Sequence, residues 1–255
     1  MPKSGPTLAN RSWFIAYWGL LVLGVVAGIA ALIAGPGFRM GWWGLGGGFK
    51  AISWSGIAAG CGAVLALQGA VFAYRKHGLA LAGRFLLATL LCSLTAAPVA
   101  FYGVKAKSLP RIHDISTDVE NPPEFVAVLP LRKDAKNPAQ YDPKDAPLQR
   151  AAYPDILPIE LKKPPALAFK LADQVARSMK WEIVATEPDT LRIKATATTL
   201  LFGFKDDIVI RVSADGTNSK VDVRSVSRIG VSDIGTNAAR IRAFSGRLQE
   251  LAAAE

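Results

Sequence analysis

The stretch VDVRSVSRIGVSDIGTNAARIR (221–242) gathers the side chains best suited to chemistry. Arg224, Arg228, Arg240 and Arg242 stand beside Asp222, Asp233 and Asn237 where a strand-like alternation passes through a turn into a helical pattern. The first N–H groups of a helix are unpaired and carry partial positive charge, so together with Arg224 and Arg228 they suit a carboxylate or phosphate. The same residues admit an architectural reading. Arg224 and Arg228 can pair with Asp206, Asp207 or Asp222 across a sheet, while Asp233 or Asn237 caps a turn. A second stretch, TLLFGFKDD (199–207), joins two strands through Leu200, Leu201, Phe202 and Phe204. Either these side chains enter the core around a Gly203 bulge, or the tip meets lipid, a partner or an apolar ligand. The expected ligand-binding residues are therefore Arg224, Arg228, Asp233, Asn237, Phe202 and Phe204.

Catalytic signals are sparse. His113 is the single histidine after residue 109, and no HExxH, GxSxG or clustered His/Cys set is present. No cofactor or metal motif occurs. Carboxylates at Asp206, Asp207 and Asp233 leave a carboxylate-based envelope enzyme as the alternative function.

The elements that must position these residues fall into two halves of opposite character. The net charge is +10, yet residues 1–109 hold nine Lys or Arg and no acid, while residues 110–255 hold twenty-one basic and twenty acidic residues. The excess lies with apolar sequence, so nucleic acid is not the expected partner. Uncharged or nearly uncharged runs at 13–34, 51–74 and 79–104 have the length that crosses a bilayer as helix. Between them, GWWGLGGGF (41–49) reads as an interfacial turn and YRKHG (74–78) as a short basic loop. Gly24 and Gly28, and again Gly56 and Gly60, have the spacing that lets helices approach closely. Lys3, Arg11, Arg75, Lys76 and Arg84 outnumber Arg39 and Lys50 on the opposite side. That predicts a cytoplasmic N-terminus and a C-terminal half beyond the membrane, in a Gram-negative cell the inner membrane and the periplasm. Both cysteines, Cys61 and Cys92, lie in the apolar half.

Residues 110–164, within a segment holding eleven of the sixteen prolines, read as a partly ordered arm. From 165 to 255 the periodicities give helix 165–179, strands at 181–186, 190–198, 207–213 and 220–227, and a helix from Ala238 to Leu251 with Ile241, Phe244, Leu248 and Leu251 on one face. Thr236 or Asn237 would cap that last helix. The expected architecture is α+β: three transmembrane helices, then helix, four-stranded antiparallel meander and helix.

The words IHDISTDVENPPEF (112–125), YPDI (153–156), Trp181, RIKATATTLLFGFKDDIVIRV (192–212) and the stretch 221–242 resemble an uncharacterised family of bacterial and plant proteins, domain of unknown function 1499. The resemblance covers roughly 110–250. It implies a domain beyond the membrane and supplies no reaction. The chain is thus expected to be a membrane-anchored ligand-binding or complex-assembly module. Its partners would be the lipid bilayer and a membrane protein or an anionic or apolar ligand, with a purely structural membrane subunit as a further alternative.

Overall fold

A computed structural model describes residues 8–255. The chain forms two compact units, one up to Lys105 and one from Ala106 onward. Lys3, which entered the charge count above, lies outside the described residues.

In the first unit the apolar runs are helices: α1 (Leu8–Arg39), α2 (Leu45–His77) and α3 (Leu79–Ser108). Each is long enough to cross a membrane and holds a stretch apolar enough to do so, the most apolar 18 residues having a mean hydropathy of 2.3, 1.8 and 1.9. The helices outrun the expected spans. α1 continues through Gly35, Pro36 and Gly37, and Leu45–Phe49 is already helical, so the expected turn at 41–49 shrinks to residues 40–44. Trp43 closes that turn: its Nε1 donates to the Ala34 carbonyl at 2.9 Å, and its ring fills the space a Cβ on Gly37 would need. The basic loop shrinks likewise to Gly78, whose φ of 84° glycine adopts without a Cβ clash. Arg75, Lys76 and His77 occupy the last turn of α2, where cations suit the helix dipole.

The two glycine pairs mark close approaches to α3. A Cβ on Gly24 would lie 3.0 Å from the Cys92 sulfur, and one on Gly28 3.3 Å from the Thr95 hydroxyl. A Cβ on Gly56 would lie 2.4 Å from Val99, and Gly60 faces Ala96. Ile15, Leu32, Trp54 and Leu90 point outward instead, as lipid-facing side chains do. Substituting Gly56→Ile should overpack this seam and cost about 1–3 kcal/mol. A thermal melt of the full chain in mild detergent reads the loss, and Gly83→Ile, at a glycine with open space beside it, is the control.

The second unit is α+β, with six strands rather than four. They are β1 (Asp114–Ser116), β2 (Ile159–Leu161), β3 (Glu182–Glu187), β4 (Arg192–Thr198), β5 (Lys205–Asp215) and β6 (Asn218–Ser227). The sheet is antiparallel in the order β1-β6-β5-β4-β3, and β2 also pairs with β6. The meander β3–β6 follows the expected order. The two added strands come from the proline-rich arm, three residues each, and lie along the same edge of β6: Ser116 opposite Arg224, Ile159 opposite Val221. They cover an edge that would otherwise present unpaired backbone groups.

Helices α5 (Pro165–Ser178) and α6 (Thr236–Ala254) pack on one face of this sheet. Alternation sends Ile193, Ile208, Ile210, Val221 and Val223 toward them, against Leu171 and Val175 of α5 and Ile241, Phe244 and Leu248 of α6. Leu251, expected on the same stripe, is partly buried beside this core. Trp181 stacks on Phe244 with centroids 5.6 Å apart. The arm joins the same core through Ile112, Ile115, Tyr153, Ile156, Ile159 and Leu161, and adds a short helix, α4 (Asp145–Ala152).

Candidate functional site

The opposite face of the sheet carries the charged residues. Alternation on β6 puts Asp222, Arg224 and Val226 there, and β5 adds Asp207, Val209 and Arg211. Arm residues 118–141 lie over it. Phe125 and Val128 pack with Val209 and Val226 in a small apolar cluster, and the charges close around that cluster as ion pairs.

Arg224 is 2 % exposed. Its Nε and Nη2 donate to Asp114 at 2.9 and 2.6 Å, and the remaining N–H groups reach the carbonyls of Pro123 and Ala139. The guanidinium stacks over Phe125 at 4.8 Å and Tyr141 at 5.4 Å. Arg228 grips Asp207 with Nε at 2.9 Å and Nη2 at 2.8 Å, and its Nη1 donates to the Leu131 carbonyl. Asp207 is fully buried and serves two arginines, because Arg132 of the arm also donates to it at 2.5 Å. The Thr196 hydroxyl supplies a further bond at 2.9 Å. Arg211 bridges Asp222 and Asp118 at 2.9 and 3.1 Å. The cross-strand pairing expected of Arg228 with Asp207 is present. The partner of Arg224, however, is Asp114, contributed by the arm.

Asp233 and Asn237 lie at the start of α6, on the helix side of the sheet. Neither Thr236 nor Asn237 caps the helix as expected. Gly235, in the left-handed region at φ 76°, is the residue before the first turn. Asp233 instead accepts the N–H groups of Gly235 at 2.9 Å and Asn237 at 2.6 Å, so both carboxyl oxygens are engaged. The Asn237 side chain is buried, accepting from the Ser225 hydroxyl and donating to the His113 carbonyl and the Ser227 hydroxyl. Asp206 also points to this side and pairs with Arg240 at 2.6 Å.

Phe202 and Phe204 stack on each other at 5.1 Å, with Phe202 turned inward at 7 % exposure. The loop closes through Thr199, whose hydroxyl accepts from the Phe204 N–H at 2.8 Å, and through Gly203 at φ 67°. The outward residues of this loop are Leu200 and Leu201. The six expected binding residues thus occupy three places: Arg224 and Arg228 on the charged face, Asp233 and Asn237 at the helix start, and the two phenylalanines in the loop.

Electrostatics follow the burial. Desolvation pushes the Asp114 carboxyl up, against the pull of the Arg224 guanidinium. Burial raises the Asp233 carboxyl, opposed by the two backbone N–H groups. The Tyr141 phenol is pushed up to about 12 by burial and by the negative charge of Asp114. Among the described residues no His, Cys, Asp and Glu side chains are grouped to hold a metal ion. Among the described residues the surface carries open grooves, two of them on this unit. One, about 340 Å³, runs between residues 155–159 and α6, with the Asp155–Arg242 pair on its wall. The other, about 470 Å³, lies between the C-terminal halves of α5 and α6.

Sequence reasoning missed Asp114, Asp118 and Arg132, which complete the charged face from the arm. The near-balance of charge after residue 110 was the available signal, but charge totals do not give partners.

The match to a known family falls on this unit. The family described as protein of unknown function (DUF1499) matches residues 114–248, from the buried partner of Arg224 to the core leucine of α6. No curated protein matches the chain. With more than half of its length matched, the chain belongs to the DUF1499 family of proteins of unknown function.

Proposed function

We propose that the chain is a membrane-anchored assembly module whose C-terminal unit lies beyond the membrane. In a Gram-negative cell this is a multi-pass inner-membrane protein with a cytoplasmic N-terminus and a periplasmic domain. The observation that carries this reading is the closure of the charged face. Arg224 and Arg228 spend their donors on Asp114, Asp207 and arm carbonyls, which leaves little for an anionic metabolite. Recognition then belongs to the outer surface. The groove between residues 155–159 and α6 is the candidate contact, because Leu157 is exposed beside the Asp155–Arg242 pair. An apolar side chain next to a charge pair suits a protein segment that offers an apolar anchor and a carboxylate.

The test extracts the full chain with its native lipid and reads its mass intact. A stoichiometric protein partner is expected, lost in Leu157→Asp and Arg242→Glu while the thermal melt stays within a few degrees. A chain that emerges alone, or with a retained small molecule that survives both substitutions, contradicts the proposal.

A further inference from the structure

One end of the sheet collects features that an assembly role does not use. There β4 finishes, β5 begins at Lys205 and β6 finishes at Ser227. Four chain segments are stitched together at that end. The Arg228 N–H donates to the Lys205 carbonyl, and the Lys136 and Asn137 N–H groups donate to the Arg228 carbonyl. The Arg228 side chain holds the Leu131 carbonyl. The Ser227 N–H donates to the His113 carbonyl, the Asp233 N–H to that of Ile112, and the Ser232 hydroxyl to that of Pro110.

The surface these segments make is apolar and basic. Leu200 is 94 % exposed, and Leu201, Leu129, Leu131 and Val231 are exposed on the segments that meet at this end. Arg111, Lys133, Lys136 and Lys205 are exposed on the same segments, with Asp134 as their exposed acid. A single exposed leucine is ordinary on a protein surface, but five large apolar side chains exposed on segments joined at one end of a sheet are of the kind that marks an interaction surface. Exposed leucines and cations on the same joined segments match the interfacial layer of an anionic bilayer, where the apolar tips enter the acyl boundary and the cations meet phosphate. The chain itself makes the connection: only Leu109, Pro110 and Arg111 separate Ser108, the last residue of the apolar α3, from Ile112 at this end.

We infer that this end of the unit, with Leu200 and Leu201 at its tip, docks on the anionic phospholipid headgroups of the membrane that anchors the chain. Docking fixes the orientation of the unit, so the opposite end, at the β5–β6 turn of Gly216 and Thr217, projects away from the lipid.

The experiment uses the full chain with Cys61 and Cys92 replaced by alanine, reconstituted in nanodiscs. A single cysteine at Leu200→Cys or Thr217→Cys carries an environment-sensitive fluorophore, and the lipid carries spin-label quenchers near the headgroup. The two sites stand at opposite ends of the long strands, roughly 30 Å apart at the rise of a strand residue. In discs of equal phosphatidylglycerol and phosphatidylcholine, the probe at 200 should shift to the blue and be quenched, and the probe at 217 should show neither change. Phosphatidylcholine alone, or Lys133→Glu with Lys136→Glu and Lys205→Glu, should abolish most of the quenching at 200. A water-like, unquenched probe at 200 in anionic discs overturns the inference. Quenching at 200 that ignores both lipid charge and the charge reversals overturns its anionic part.

Discussion

Asp207→Ala is expected to destabilise the C-terminal unit by about 3–5 kcal/mol, because it strands the guanidinium groups of Arg132 and Arg228 inside the protein. The carboxyl is fully buried and also accepts from Thr196. For a unit of this size the loss corresponds to a drop in melting temperature of about 10 °C or more. Asp207→Asn keeps the shape and removes the charge. It should lose nearly as much if pairing dominates, and little if packing does. Pulse proteolysis of the full chain in urea reads the unfolding free energy. A cost below about 1 kcal/mol, the range of an exposed pair, would show that the two arginines find water or other partners.

The second large effect concerns Arg224 and Asp114. Arg224→Ala should also cost about 3–5 kcal/mol, since it leaves the Asp114 carboxyl buried without its partner and uncovers Phe125 and Tyr141. Changing both members removes the stranded charge. Asp114→Leu with Arg224→Met should therefore recover most of the loss, in the way that buried ion pairs elsewhere give way to apolar side chains of similar volume. Recovery marks the pair as architecture. If instead the double variant remained as unstable as the single one, the bonds from Arg224 to the Pro123 and Ala139 carbonyls would be what holds the arm.

What the sequence makes legible, and what it does not, follows from the range of the interactions involved. α5, β3–β6 and α6 carry periods of 3.6 or 2 over many residues, and the side chains on those stripes are the ones buried: Val175, Ile193, Ile241, Phe244, Leu248. β1 and β2 are three residues long, too short to show a period, and proline surrounds them. Their existence depends on β6, more than a hundred residues away in the case of Asp114 and Val226. The same distance hid the site. Arg224, Arg228, Asp206 and Asp207 stand out in the sequence, but which carboxylate meets which arginine is set by the arm crossing the sheet, and no local pattern encodes that crossing. In the membrane half, hydropathy located the spans but not their ends, because glycine and proline at 35–37 stay helical where Trp43 folds back to close the turn. The loop 199–204 divides between its two readings: Phe202 turns in and Leu200 turns out.

If the arm is a fixed part of the sheet, the arginines beneath it are structural rather than a site that opens to ligand. Hydrogen exchange of the full chain, read at single amides, tests this most directly. The Thr117 N–H donates to the Val223 carbonyl and the Ser116 N–H to the Gln149 side chain, both through the arm. An arm that opens only when the whole unit unfolds predicts that these amides exchange as slowly as those at the centre of β5 and β6. Fast exchange at Ser116 and Thr117, with β5 and β6 still protected, would mean that the arm lifts as a lid and exposes Arg224 and Arg228, and would contradict a structural role for the two arginines.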